Sequence, residues 1–198
     1  MTQTPPAAVR AAAELAGAAL AAVSADQLTA RTPCRDWDVR GVLEHLGWSA
    51  VLAQRAATRV PLEHDWSSGT PAPFLTELPA GRWGAAIAEE LDVAADTWAD
   101  VAAWAGETVL GTTPMPAATV GTLMLAEFAL HGWEVARGVG APYPVPAELG
   151  EVVLQAVSAS AGMGRDGGWY GPEVPVAADA PAFERALGVT GRDPAWRG

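Results

Sequence analysis

Residues 119–138 read TVGTLMLAEFALHGWEVARG, and this stretch decides the fold. It carries the most apolar run of the chain and no proline, with Thr119 placed to cap its start and Gly138 and Gly140 to mark its end, so it reads as a helix. Glu127 and His131 stand four residues apart inside that run. A spacing of four puts both on one helical face, about one turn apart, beside Leu123, Met124 and Leu130. A carboxylate facing a core is costly unless it is paired or bound to a metal, so function is expected to show at this pair.

Further helices are expected on either side. Residues 6–23 form the first, with Leu15, Ala19, Leu20 and Val23 as apolar positions, and a polar connection follows at 24–33. Asp38 is placed to cap a second helix over 38–58, and Trp37 packs back as a staple. The apolar stripe of that helix is Val39, Val42, Leu43, Leu46 and Ala50. Residues 60–81 are a long Pro/Ser/Thr/Gly-rich loop, of the kind that lines a site or moves. The third helix is expected over 82–104, with Ile87, Leu91, Ala94, Trp98 and Val101 in the core. Residues 105–118 are a turn-rich crossing with a short strand at 108–110. After the PYPVP stop at 142–146 comes a fifth helix over 146–160. Residues 162–198 read as a wrapping tail with a short helix at 180–187. Alanine and leucine are frequent and Ile87 is the sole isoleucine, which favours helix over sheet. The expectation is an all-α fold, a four-helix bundle with an additional helix and an extended tail, forming one domain over 1–198.

Composition removes whole classes of function. The formal net charge is −11 and there is no lysine, so the basic surface that nucleic acid requires is missing, as is attraction to an anionic membrane. No run of 18 apolar residues exists to span a bilayer. Residues 1–23 read as an Ala-rich helix broken by Glu14 rather than a signal peptide. Cys34 is the single cysteine, so no internal disulfide forms and a reducing cytoplasm is the expected location.

His45 lies at the edge of the second helix's apolar stripe. If helices two and four face one cavity, His45, Glu127 and His131 make a two-His, one-carboxylate set of the type that holds zinc with an open position, and that also accepts iron or nickel. The other reading stays open: Glu-x-x-x-His also occurs as a plain structural pair, and His45 as a core-edge residue. Cys34 precedes Arg35 and a helix start, features that lower a thiol pKa, yet it reads first as a small buried hydrophobe. His64, between Glu63 and Asp65, is expected in solvent. Trp66 and Trp169 are candidates for a substrate mouth, while Trp98 and Trp104 are packing residues. No phosphate-cradling glycine loop and no Gly-x-Ser-x-Gly elbow is present.

Three stretches carry a resemblance. TPCRDWDVRGVLEHLGWS (32–49) and LAEFALHGWEVARGVG (125–140) resemble the second-helix and last bundle-helix motifs of the mycothiol-dependent maleylpyruvate isomerase N-terminal family. GPEVPVAADAP (171–181) is similar to a tail in its actinobacterial single-domain branch. The resemblance covers most of 8–190 and implies a DinB-like four-helix bundle with long crossover loops. It also implies a divalent metal, most often zinc, on His45, Glu127 and His131. Some members of the group use low-molecular-weight thiols such as mycothiol, which implies a metal that would bind the thiol, lower its pKa and present the thiolate to an electrophile. In the isomerase the thiol adds to maleylpyruvate, allows rotation about the former double bond, and leaves. The full isomerase has a further C-terminal domain, for which residues 162–198 are too short. The expectation is therefore a thiol-dependent metal transferase acting on a small electrophile, with no catalytic base assigned. A non-enzymatic metal or small-molecule binding module is the alternative, and the isomerase itself comes third. The chain is expected to be a monomer or a two-fold dimer.

Overall fold

The structure is a computed structural model that describes residues 5–62 and 70–198. His64 and Trp66 lie outside the described residues. Among the described residues six α-helices run in the order α1 (Pro5–Ala21), α2 (Val39–Thr58), α3 (Trp83–Ala99), α4 (Ala117–Val139), α5 (Ala147–Asp166) and α6 (Ala182–Val189). Strands β1 (Glu107–Leu110) and β2 (Thr113–Pro116) form one antiparallel hairpin, Glu107 opposite Pro116 and Leu110 opposite Thr113.

Helices α1 and α2 each pack against both α3 and α4, so the four close into a bundle with α2 beside α4. α5 packs on α4 outside the bundle, and α6 on α5. The architecture is predominantly α-helical with one small hairpin, and is consistent with the expected DinB-like bundle carrying an extra helix and a tail. The core is continuous and apolar, with Leu20, Leu43, Leu46, Ile87, Leu91, Trp98, Phe128 and Leu130 at most 2 % exposed. The buried indole of Trp98 donates to the Ala53 carbonyl at 3.0 Å. Among the described residues no helix is long and apolar enough to cross a membrane.

Local chemistry sets the helix ends. The Asp38 side chain accepts from the Gly41 amide at 2.9 Å, the expected cap of α2. α4 ends at Gly140, whose left-handed φ of 72° lets its amide close on the Ala136 and Arg137 carbonyls. Its start differs from expectation. The hairpin runs straight into the helix through Pro116, so Ala117 is its first residue and Thr119 lies inside the first turn. The third helix also stops earlier than periodicity suggests. Asp100 turns the chain and caps a separate 3-10 turn, Val101–Trp104, by accepting from the Ala102 amide. Val101, expected in the core, is 75 % exposed as a result, while Trp104 meets the Trp98 ring edge-on at 5.0 Å. α5 in turn outlasts its expected end and runs through Gly162 and Gly164. Gly164 is there because the Tyr170 ring occupies the place of a side chain.

Small residues bring α1 close to its neighbours. A Cβ at Gly132 of α4 would lie 2.7 Å from the Ala16 Cβ, and one at Gly84 of α3 would overlap the Leu20 carbonyl oxygen. Gly84→Ala therefore separates two effects. Helix propensity favours alanine by about 1 kcal/mol, whereas forcing backbones apart in a packed core costs about 1–3 kcal/mol. The net effect is expected to be destabilisation, read by urea unfolding. A more stable variant would show that α1 and α3 do not approach this closely.

Candidate metal centre

The bundle order puts α2 beside α4, and this brings His45 to the Glu127–His131 face. Trp37, packed against the first turn of α2, stacks at a tilt over His45 with ring centroids 4.8 Å apart, and lies 6.0 Å from His131. His45 Nε2 is 2.7 Å from Glu127 Oε2, and His131 Nε2 is 3.3 Å from the same oxygen. One potential donor atom from each of His45, Glu127 and His131 lies within 4.8 Å of the other two. The two imidazole rings are edge-on at 4.6 Å. His131 is buried; His45 and Glu127 keep 22 % and 28 % of their side-chain surface exposed, so the cluster is not sealed from solvent. Three donors meeting from two helices can chelate a divalent ion.

A second layer lies behind the triad, and sequence reading did not single it out. Glu134, one turn beyond His131, is 1 % exposed. Its Oε2 lies 2.6 Å from His131 Nδ1, and its Oε1 accepts from Arg192 Nε at 2.8 Å. The i,i+3 spacing from His131 was available as a signal, because a glutamate between Trp133 and Val135 is as anomalous as Glu127. The partner Arg192 lies 58 residues away and has no local signature.

The electrostatics follow from this layout. For His131, burial disfavours the cation, but the carboxylates of Glu134 and Glu127 outweigh it and raise the pKa to about 9. For Glu134, burial opposes ionisation, but Arg192 and His131 prevail and lower the pKa to about 2. Glu127 is likewise held well below the usual carboxylate range, against burial, by His131 and His45.

The remaining candidates sort themselves. Cys34 is half-buried against the core, and its thiol pKa is raised, first by burial and then by the Glu134 charge. This opposes the lowering that a position before a helix start can cause, and agrees with the first reading of Cys34 as a small buried packing residue. Trp169 is 53 % exposed. Its neighbour Tyr170 faces inward instead: its hydroxyl is 3.3 Å from Ser160 Oγ. Burial raises the phenol pKa, the Ser160 bond opposes this, and the Glu127 charge adds to the rise. Two surface clefts along α2, one beside Trp48 and Gln54 and one beside the hairpin, share Leu62 in their linings and include none of the triad.

A histidine whose pKa rises on folding stabilises the fold fully below its unfolded value of 6.5 and loses that contribution as pH climbs through about 9. Urea unfolding of metal-free protein is thus expected to show stability declining from pH 6.5 to 9. A His131→Gln variant should lack this decline. Equal slopes in the two proteins would place the cation elsewhere.

Two comparisons, with curated proteins and with solved structures, returned no match. A family model does match, that of the mycothiol maleylpyruvate isomerase N-terminal domain, over residues 9–136. That span holds well over half of the 198 residues and includes all four helices of the bundle apart from their outermost residues, together with His45, Glu127, His131 and Glu134. The chain belongs to the mycothiol maleylpyruvate isomerase N-terminal domain family.

Proposed function

We propose that His45, Glu127 and His131 hold one divalent metal ion, zinc first and nickel or iron as alternatives, and that the protein is a thiol-dependent transferase acting on a small electrophile. The observation that carries the metal reading is the convergence of three donors within 4.8 Å, with the far nitrogen of His131 already engaged by Glu134. Two imidazoles and a carboxylate are a zinc set with room for an exogenous ligand. An ion bound there would lower the pKa of a bound water or thiol, or polarise a carbonyl.

The chain's own residues do the rest. Glu134 keeps the Nδ1 proton of His131, so that Nε2 is free to face Glu127 and His45. Trp37 walls one side of the two rings and limits water there. Glu127, engaged as a ligand, is not free to serve as a base, and no side chain is assigned that role. Mycothiol is the thiol that the family's description supports. The reading takes residues 1–198 as one unit in the cytoplasm, monomer or homodimer, with small molecules rather than nucleic acid or membrane as partners. A non-enzymatic metal or small-molecule binding module is the second reading. Isomerisation of maleylpyruvate is the third and rests on the family description alone.

Elemental analysis of protein purified without chelator tests the metal. About one ion per chain is expected, with binding abolished in His131→Ala; a metal-free wild type that also fails to take up added zinc would overturn the reading. For the chemistry, zinc-loaded protein is mixed with mycothiol and a panel of electrophiles. Accelerated loss of free thiol, dependent on His45, supports the transferase. Tight zinc retention with no acceleration across the panel selects the binding module.

A further inference from the structure

Glu134 has its two carboxylate oxygens committed to different partners, and one of them comes from outside the matched family region. Oε2 faces His131 Nδ1 at 2.6 Å and Oε1 accepts from Arg192 Nε at 2.8 Å. Glu134 is buried at 1 % side-chain exposure, and the Arg192 side chain keeps only 11 %. The family match ends at residue 136, so the bundle supplies the buried carboxylate and the tail supplies its cation. A buried carboxylate with no counter-ion is strongly destabilising, and one free to rotate would not hold an imidazole in register.

The tail is built to deliver that arginine. α6 ends in a tight turn: the Gly191 amide bonds the Gly188 carbonyl at 3.0 Å and the Arg192 amide bonds the Leu187 carbonyl at 2.9 Å. Gly191 has φ +82°, and a Cβ there would lie 2.7 Å from Gly171 Cα. Only glycine meets both conditions. The incoming segment is tied to the same turn, Gly171 N–H to the Thr190 carbonyl and Val174 N–H to the Gly188 carbonyl. Beyond the turn, Arg137 of α4 donates to the Trp196 carbonyl at 2.7 Å, which pins the far side of Arg192 to the metal-centre helix.

We infer that Arg192 is a positioning residue for the metal centre: it locks the Glu134 carboxylate, which in turn fixes the tautomer and orientation of His131, so that docking of the α6 tail sets the affinity of the His45–Glu127–His131 site. This rests on the metal reading above. Removal of an outer partner of a ligating histidine costs on the order of 10–100-fold in metal affinity.

The experiment measures zinc dissociation constants by chelator competition on full-length wild type, Arg192→Met, Glu134→Gln and the Glu134→Gln/Arg192→Met double variant, with His131→Ala as the control. Melting temperatures without metal report the fold separately. Arg192→Met and Glu134→Gln are each expected to weaken zinc by about 10–100-fold, and the double variant to match Glu134→Gln within about two-fold, since Arg192 acts only through Glu134. Wild-type affinity in Arg192→Met, or in Glu134→Gln, overturns the inference, as does a further tenfold loss in the double variant. If Arg192→Met does not fold, Arg192→Gln, which keeps an N–H donor but no charge, takes its place: zinc affinity below wild type is expected, and wild-type affinity overturns the inference. Failure of the metal reading looks different: zinc binding would then be absent from wild type, or unchanged in His131→Ala.

Discussion

A carboxylate buried to 1 % exposure inside a four-helix bundle must be paired, and the pairing of Glu134 organises everything around it. Its two oxygens point opposite ways, one to His131 on its own helix and one to Arg192 at the end of the tail. From His131 the polar chain continues through Glu127 to His45 on α2. One file of polar groups thus runs from the tail, through α4, to the second helix, across a largely apolar core. Each link restricts the next, so the orientation of the triad follows from pairing that burial makes compulsory.

The file needs α2 and α4 to be neighbours, and small side chains help to make the bundle tight enough. α1 is largely alanine on its buried side, and Gly132 lets α4 close on Ala16. Gly121 of α4 makes room for the Trp98 and Trp104 rings near the other end of the helix. The two indoles donate to backbone carbonyls, Trp98 to Ala53 and Trp104 to Trp98. The same helix is therefore packed through aromatic rings near its start and through charge nearer its end.

Much of this was legible in the chain before any coordinates. The α4 stretch announces its helix by composition and its site by two charges four residues apart, and the period of α2 puts His45 on the edge of its buried stripe. The cap at Asp38 and the stop at Gly140 are local chemistry and were readable as such. What sequence missed depends on contacts made across the fold. Asp100 breaks the third helix by capping a new turn, where the apolar pattern alone runs on to Val101. Gly162 and Gly164 look like helix breakers, yet α5 passes through them, and Tyr170 fills the space over Gly164. Arg192 is one of twelve scattered arginines, and only the fold shows that it meets Glu134.

The most direct test of the central claim is X-ray absorption at the zinc edge on protein loaded with one equivalent of zinc, without added thiol. The account predicts a shell of nitrogen and oxygen only, at about 2.0–2.2 Å, with the outer scattering of two imidazoles. A sulfur at about 2.3 Å, which only Cys34 or a methionine of the chain itself would supply, or a spectrum of hydrated zinc with no imidazole scattering, would contradict it.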